Sequence, residues 1–335
     1  MNVITSSSKR FNGVEVDSNK PEIRRHMIID TLKKSHVVKY VDTKVPLTVD
    51  NTFSCHCESM LRLFSTGYQR ASRMPVDWFE DFRDVYGYVT PQSIIGKSKI
   101  VTNDLRCELT CHAQDKSVPI HAELSEMLEL DLGMLHYVAR KVNHVHECGI
   151  FYLLPTNPGH HSMPQQFGGY CYINNAAILA KLINTMKSVA VIDIDYHAGN
   201  GTAECLEGSY IKFASIHMRA DRDYPWQCSE AESSAYSKYI EADPETDWDT
   251  YCDKLSVAVN FLCSPGPQVL IVSLGMDTLD GDPDATEGAG MKLKPKNIAL
   301  AIEYLADQCQ QLILVQEGGY DLDGVKATVK ELAKL

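Results

Sequence analysis

The chain has 335 residues, of which 44% are hydrophobic and 23% charged, and its formal net charge is −12. This composition describes a globular protein with a sizeable core, and no window approaches the roughly 18 consecutive apolar residues of a membrane-spanning helix. The acidic balance argues against a nucleic-acid partner, because binding to phosphates needs basic patches, and it weakly favours a cationic substrate.

The cysteines and the N-terminal segment suggest the compartment. Eleven cysteines are scattered without paired CxxC spacing, and the N-terminal residues lack the apolar core of a secretory signal. We therefore expect reduced thiols and a cytoplasmic protein. Cys55 and Cys57 flank His56, but a metal site would need further ligands, and packing on a helix face is the better interpretation.

In the first half of the chain, strand and helix patterns alternate over residues 1–70. A β-rich run covers residues 37–41, and apolar residues have helical spacing over residues 52–68. Residues 71–116 are less regular. An insertion of this length is either functional, as a lid or a subunit contact, or simply an ordered loop, and the sequence favours neither. Helical spacing returns over residues 121–145.

The second half repeats a pattern of strand, polar loop and helix. Short apolar runs lie at residues 150–154, 189–192, 212–218, 269–274 and 312–315, and a loop followed by a helix fills residues 166–186. This repetition predicts an α/β protein with three layers, in which helices cover both faces of a mostly parallel central sheet. Without repeats or linkers, we expect a single domain over residues 1–335.

Polar residues follow the run at 189–192. Asp193, Asp195 and His197 alternate with apolar or aromatic residues, so on an extended backbone they share one face at the carboxyl end of a buried strand. Open α/β sheets place their ligands at this edge. Asp277 follows another strand, in a suitable position for a third ligand. Two aspartates and one histidine, with open positions, are typical of a catalytic zinc site.

Two other loops carry groups that could react. The adjacent His160 and His161 follow the strand at 150–154 and could act as an acid/base pair near neutral pH, although an isolated His-His pair is weak evidence. Tyr320 follows two glycines after the last strand and could donate a hydrogen bond to an oxyanion. Asp280 and Asp282 are better explained as turn formers than as ligands.

Four motifs stand in one order along the chain: PGHH, DIDYHAGNGT, GMDTLDGDP and EGGY. Together they resemble the zinc-dependent histone deacetylase family, which has the arginase/deacetylase fold. The resemblance is strongest to its acetylpolyamine amidohydrolase branch, through VYGYVTP, FGGYCYINNAAILA, SIHM with a following DYP, and LGMDTLDGDP. It covers residues 21–320, and the set of four motifs is highly specific.

The resemblance implies a role for each residue of the site. The implied metal ligands are Asp195, His197 and Asp277; the implied catalytic groups are His160, His161, Tyr320, Asp193 and Asn200; the implied substrate-binding residues are Gly169, Tyr170 and Tyr224. His161 would be the general base and would be oriented by Asn200, while His160 would be a cation held by Asp193. Tyr320 and zinc would stabilise the oxyanion. A potassium ion would lie beside Asp193 and Asp195, near Ser215.

The sequence departs from the family pattern in two places. Ala198 replaces a histidine, and Thr156-Asn157 replaces Arg-Pro before the tandem histidines. Both changes affect the expected shape of the inner channel, but neither removes a ligand. The acid that would receive a distal ammonium is not identified, with Glu108 and Asp115 as candidates. By analogy with the polyamine branch, the insertion at residues 71–116 would narrow the entrance and form a homodimer.

The leading hypothesis is hydrolysis of an acetyl amide on a small cationic amine, preferably an acetylpolyamine, with release of acetate. The main alternative is a protein acetyl-lysine deacetylase, which would need a wide entrance. A catalytically silent protein that binds acetylated ligands would not need the complete set of ligands, histidines and tyrosine. A dinuclear manganese hydrolase is disfavoured, because the additional aspartate and histidine ligands of a second metal are missing.

Overall fold

The computed structural model describes residues 1–7, 20–74, 88–89, 103–144, 148–286 and 288–335. The strands are β1 (Asn2–Ser6), β2 (Val38–Val41), β3 (Tyr88–Val89), β4 (Ile120–His121), β5 (Gly149–Leu154), β6 (Val189–Asp193), β7 (Lys212–Met218), β8 (Ser237–Ala242), β9 (Val269–Leu274) and β10 (Gln311–Gln316). The helices are α1 (Lys20–Leu32), α2 (Glu58–Ala71), α3 (Leu105–His112), α4 (Leu124–His144), α5 (Asn175–Asn184), α6 (Asn200–Leu206), α7 (Trp248–Leu262), α8 (Pro295–Ala306) and α9 (Leu322–Leu332).

A central sheet of eight parallel strands has the order β2-β1-β5-β10-β9-β6-β7-β8. Its middle strands β6, β9 and β10 are buried along their whole length. They read as nearly continuous apolar runs because helices cover both faces of the sheet. The predicted α/β fold with three layers is therefore confirmed.

Two hydrophobic clusters show which helices cover each face. Helices α2 to α6 contribute to one cluster, together with Val191 of β6. Helices α1, α7, α8 and α9 contribute to the other, together with Ala190 and Ile192 of the same strand. Neighbouring residues of β6 thus belong to opposite clusters, as the alternation of side chains along a strand requires.

The predicted elements agree with the structure best in the sheet centre. β7 and β9 have the predicted bounds. The helix predicted from residue 52 begins only at Glu58, because residues 50–54 form turns and residues 55 and 56 a bend. β8 is not predicted by the sequence, since it is an edge strand with the partly polar sequence SKYIEA.

The insertion at residues 71–116 is less irregular than expected where the structure describes it. Its last part contains α3, whose apolar Leu105 and Leu109 are buried in the same cluster as α2. β3, which precedes this helix, pairs antiparallel with β4, which follows it. Most of the insertion lies outside the described residues, and its roles in the entrance and in a homodimer stay predictions. The expected single domain over residues 1–335 also stays a prediction.

The sheet topology brings several loops to one edge. β5, β10, β9, β6 and β7 are consecutive in the sheet, and all run in the same direction. The loops that follow them therefore meet at the carboxyl edge of the sheet, where parallel sheets bind ligands. Across the described ranges, no helix combines the length and the hydrophobicity needed to cross a bilayer.

Candidate active site

A cavity of about 240 Å³ lies at this edge of the sheet. The predicted site residues that line it are His160, His161, Gly169, Tyr170, Asp195, His197, Tyr224, Asp277 and Tyr320. The remaining two, Asp193 and Asn200, lie behind the cavity wall and hold the two histidines. The structure therefore brings together every residue of the predicted site.

Three of these residues form a group that can hold a metal ion. One ligand atom from each of Asp195, His197 and Asp277 lies within 4.8 Å of the other two. Nδ1 of His197 is 3.3 Å from an oxygen of Asp195 and 3.5 Å from Oδ2 of Asp277. The alternating-face argument is wrong in detail, because β6 ends at Asp193 and residues 195–197 form a bend.

The chemistry of this group fits a divalent cation. Asp277 Oδ1 accepts a hydrogen bond from the Tyr196 amide at 3.0 Å, while no described residue donates a hydrogen bond to its buried Oδ2. An unsatisfied buried carboxylate oxygen is costly, and a bound cation would satisfy it. At Gly318, a Cβ would lie 2.0 Å from this oxygen, so only glycine leaves room beside the carboxylates.

The electrostatics of the group also favour a positive charge. Burial and the charge of Asp195 raise the pKa of Asp277 to about 7. Burial disfavours an imidazolium at His197, but the nearby carboxylates of Asp195 and Asp277 outweigh it and raise the pKa of His197 well above its ordinary value. Both shifts express the attraction of two close carboxylates for one cation.

The two adjacent histidines have different charges. Nδ1 of His161 donates to Oδ1 of Asn200 at 2.8 Å, which leaves its Nε2 as the atom that accepts a proton. Burial lowers the pKa of His161 well below its ordinary value, and the charges of His160 and His197 lower it further. His161 is therefore a neutral base with a fixed tautomer.

His160 is the cationic member of the pair. Its Nδ1 donates to Oδ2 of Asp193 at 3.1 Å, and its Nε2 lies 3.7 Å from Asp195. Burial opposes the charge, but the two aspartates raise the pKa of His160 to about 10. The imidazolium lies beside His161, with ring centroids 3.9 Å apart, and keeps that neighbour neutral.

Glu317 supports this loop, although its EGGY motif predicts a role only for Tyr320. Its buried carboxylate accepts hydrogen bonds from the amides of Gly159 at 2.6 Å and His160 at 3.2 Å, and from Ser273 Oγ at 3.1 Å. His160, Cys171 and Glu317 also bring ligand atoms within 4.8 Å of one another. Because these hydrogen bonds occupy both Glu317 oxygens, we assign this second group a structural role.

Tyr320 is held by two residues to which the sequence assigns no role in the site. Its amide donates to Oδ2 of the buried Asp282 at 2.7 Å, so Asp282 does more than form a turn. Arg24 of α1 donates to the Gly319 carbonyl at 3.0 Å and lies 5.1 Å from the centre of the Tyr320 ring. No signal marks Arg24, because an Arg-Arg pair in a helix usually faces solvent. Burial raises the pKa of Tyr320 well above its ordinary value, so its hydroxyl stays protonated.

Aromatic rings form two walls of the cavity. The Tyr170 ring lies 5.6 Å from that of Tyr320, and the Tyr224 ring lies 4.8 Å from that of His161. Gly169 has a φ of +54°, and a Cβ there would lie 2.4 Å from the His161 ring. Asn157, one of the departures from the family pattern, donates to the Tyr170 carbonyl at 3.3 Å and so supports one wall.

The two acids suggested as ammonium receptors lie in different places. Glu108 is buried away from the cavity, where Arg62 and Arg70 both pair with its carboxylate. It is therefore not available to a substrate in the cavity. Asp115 does line the cavity, as does Asp284, which no sequence motif singles out. In the described part of the chain, no lysine or arginine lines this cavity.

His56 braces the loop of the tandem histidines and does not pack on a helix face. Its Nδ1 donates to the Met163 carbonyl at 3.0 Å, and its Nε2 accepts the Asn174 amide at 2.9 Å. Protonation of Nε2 would set two N–H groups against each other. Burial lowers the pKa of His56 to about 4.

We expect His56 to make the fold sensitive to acid. The pKa of His56 in the folded protein lies below the ordinary 6.5, so neutral His56 contributes fully to the free energy of unfolding above pH 6.5. This contribution is lost as the pH falls towards 4. Between pH 7 and 5 the loss is about 2 kcal/mol. The free energy of unfolding in urea, measured for the metal-loaded protein at both pH values, checks this loss.

His56→Gln should lose less stability between pH 7 and 5 than the wild type does. The exposed His144→Gln is the control and should lose as much as the wild type. An equal loss in all three proteins would contradict the role of His56.

Comparison with known proteins defines the class to which this fold and site belong. The family model described as "Histone deacetylase domain" matches residues 19–335. The chain therefore belongs to the histone deacetylase family, and the resemblance inferred from the four motifs is confirmed.

Individual relatives show which members of this family the chain is similar to. The chain is 30% identical over 186 residues to the acetylpolyamine amidohydrolase of Mycoplana ramosa, covering 53% of each chain. It is 32% identical over 203 residues to histone deacetylase 8 of Arabidopsis thaliana, covering 53% of this chain and 52% of the relative. The chain thus spans about half the length of these curated relatives. A crystal structure of acetylpolyamine aminohydrolase from Burkholderia pseudomallei shares the fold, with a TM-score of 0.82, 20% identity, and coverage of 99% of this chain and 97% of that chain.

Proposed function

We propose that this protein is a zinc-dependent amidohydrolase that removes acetyl groups from small cationic amines, preferentially acetylpolyamines, and releases acetate. The observation that carries the proposal is that three metal-ligand side chains, the neutral His161 and Tyr320 line one cavity. The similarity to acetylpolyamine amidohydrolases supports the choice of substrate.

Asp195, His197 and Asp277 would hold the zinc ion. When bound, zinc supplies a Lewis acid that polarises the acetyl carbonyl and makes water a better nucleophile at neutral pH. We also propose that a potassium ion lies beside Asp193 and Asp195. Ser215 is opposite Asp193 in the register of β6 and β7, which supports its place near that ion.

His161 and Tyr320 would carry out the proton transfers and stabilise the charge. His161 Nε2 accepts the proton of the attacking water and later returns it to the leaving amine nitrogen, while Asn200 holds the opposite edge of the ring. The Tyr320 hydroxyl donates a hydrogen bond to the carbonyl oxygen as negative charge develops on it. The His160 imidazolium adds positive charge behind the site without exchanging its proton.

The cavity suits a slender cationic chain. Its aromatic walls, Tyr170 and Tyr224, would pack along the methylene groups of an alkyl chain. The carboxylates around it, without a lining lysine or arginine among the described residues, favour an ammonium group. A protein acetyl-lysine deacetylase is the second candidate, supported by the similarity to histone deacetylase 8 of Arabidopsis thaliana.

Acetate release from matched substrates tests this proposal. The zinc-loaded protein is assayed with acetylspermidine, acetylputrescine, acetylcadaverine and acetyl-lysine peptides. We expect kcat/KM to be about tenfold or more higher for the acetylpolyamines, because one extra hydrogen bond between charged groups contributes about 1.5–3 kcal/mol. His161→Ala serves as the inactive control.

Two results would contradict the proposal. Equal or faster release from the peptides would favour the protein deacetylase. No release from any of these substrates by protein that retains zinc would favour a silent acetyl-binding relative.

A further inference from the structure

The metal group and the proposed oxyanion donor belong to different loops of the site. Asp277 follows β9 and Tyr320 follows β10, and the two strands end side by side with Leu274 opposite Gln316. Both groups would act on the same carbonyl oxygen. Because a misplacement of about 1 Å can slow a reaction about 100-fold, the two loops have to keep a fixed relative position.

The chain just before Tyr320 does not supply this rigidity by itself. It contains Gly318 and Gly319, and glycine has more conformational freedom than any other residue. Gly319 has a φ of +110°, a backbone conformation that glycine adopts readily. Among the described residues, none forms a hydrogen bond with the Tyr320 hydroxyl, so the side chain is not held at its far end. The position of the hydroxyl therefore depends on how the backbone is held.

Asp282 holds the backbone at this point. Its Oδ2 accepts the amide of Tyr320 at 2.7 Å and that of Asp321 at 2.9 Å. In the part of the chain that the structure describes, neither amide has another acceptor. Asp321 is in turn the N-cap of α9, where its carboxylate accepts the amides of Asp323 and Gly324, both at 3.2 Å. The hold on Tyr320 thus continues into the helix that follows.

The other end of Asp282 belongs to the loop of the metal group. Asp282 follows the ligand Asp277 by five residues, and its Oδ1 accepts the Asp284 amide at 3.0 Å. Its own amide donates to the Leu279 carbonyl at 3.2 Å, and the Leu279 amide donates to the Met276 carbonyl at 3.3 Å. Hydrogen bonds therefore run from the end of β9 to the buried Asp282 carboxylate, which connects this loop to the loop after β10.

We infer that Asp282 is a positioning residue that fixes Tyr320 relative to the metal group. The inference rests on the proposed function, since it concerns the oxyanion donor of that reaction. Asp282 lies outside the cavity lining, and backbone amides occupy both of its oxygens, so it acts through Tyr320 and not by contact with the substrate. Its loss should slow the reaction without weakening substrate binding, because the oxyanion contact is made only in the transition state.

Two substitutions of Asp282 test the hold on the backbone. Asp282→Ala removes the acceptor, and kcat for acetate release from acetylputrescine should fall about 10- to 100-fold, with KM within about twofold of the wild type. Asp282→Asn keeps one oxygen, which can accept the amides of Tyr320 and Asp321, while its amino group would face the Asp284 amide. This conservative variant should therefore recover most of the lost kcat.

A double substitution distinguishes the positioning of Tyr320 from general support of the fold. In a Tyr320→Phe background the hydroxyl is already absent, so Asp282→Ala should lower kcat by less than a further factor of about two. Independent effects would instead multiply. Asp280→Ala is the matched control, because Asp280 is exposed, lies outside the cavity lining and pairs with Lys292 at 3.0 Å. It should leave kcat unchanged in both backgrounds.

Hydrogen exchange measures the hold without any need for activity. In the metal-loaded protein, the amides of Tyr320 and Asp321 should exchange about tenfold or more faster in Asp282→Ala than in the wild type, because they lose a charged acceptor. In Asp280→Ala these amides should exchange at the wild-type rate. Zinc content and the thermal midpoint are measured for every variant. If Asp282→Ala does not fold, Asp282→Ser takes its place in each comparison.

The possible results distinguish this inference from the proposed function. A loss of kcat that disappears in the Tyr320→Phe background supports the inference. Unchanged kcat in Asp282→Ala, an equal loss in both backgrounds, or a loss of bound zinc overturns it. If the wild type releases no acetate, the proposed function fails, and hydrogen exchange decides alone. Faster exchange at Tyr320 and Asp321 then supports Asp282 as the residue that positions Tyr320, and unchanged exchange overturns it.

Discussion

Replacing Asp277 by alanine is expected to remove zinc and reduce acetate release to background. The substitution leaves only Asp195 and His197 of the metal group, and catalytic zinc sites need three protein ligands. Metal analysis after dialysis should find about one zinc per chain in the wild type and almost none in the variant. Full zinc in Asp277→Ala would contradict the metal assignment.

Two further variants make this result specific. Asp277→Asn keeps an oxygen that can accept the Tyr196 amide, which Asp277 accepts at 3.0 Å, so it tests the metal with less disturbance of the loop. Asp280→Ala removes an exposed carboxylate three residues away that pairs with Lys292. We expect weakened zinc binding in the first and normal zinc and turnover in the second.

Tyr320→Phe is expected to slow turnover by about 100- to 1,000-fold while the protein folds and binds zinc normally, because removal of one oxyanion donor has an effect of this size. Among the described residues, none forms a hydrogen bond with the Tyr320 hydroxyl, so the fold does not depend on it. The measurement is kcat for acetate release at saturating substrate, together with zinc content and thermal unfolding.

The control for this variant is Tyr304→Phe on α8, because Tyr304 is 40% exposed and lies outside the cavity. Its turnover should match the wild type. Near-wild-type turnover in Tyr320→Phe would show that the hydroxyl is not the oxyanion donor. A loss of zinc in that variant would instead indicate that the ring supports the metal group.

The sequence predicts much of the fold because its strands are local patterns. A buried parallel strand is a short run of apolar residues followed by a turn, and β7 and β9 can be read directly from such runs. The predictions fail where the pattern is weak or where the element depends on distant partners. β8 is a partly polar edge strand, and α3 lies in a segment that reads as irregular.

The motifs identify the site residues for a similar reason. Asp195, His197, Asp277, the tandem histidines and Tyr320 lie in loops that follow strands. A parallel sheet brings the carboxyl ends of its strands to one edge. The positions of Asp195, His197 and Asp277 along the chain, together with the resemblance, were sufficient to predict the group that the structure places within 4.8 Å.

The tertiary structure alone decided which other residues support and shape the site. Arg24, Asp282 and Glu317 are far along the chain from the groups they hold, and each acts through hydrogen bonds to backbone atoms that carry no sequence signal. The tertiary structure also decided which acidic side chains face the cavity. Glu108 and Asp284 are both ordinary carboxylates in the sequence, yet two arginines neutralise Glu108 while Asp284 faces the cavity. Local patterns determined the strands and the reacting groups, whereas long-range contacts decided which carboxylates remain available to a substrate.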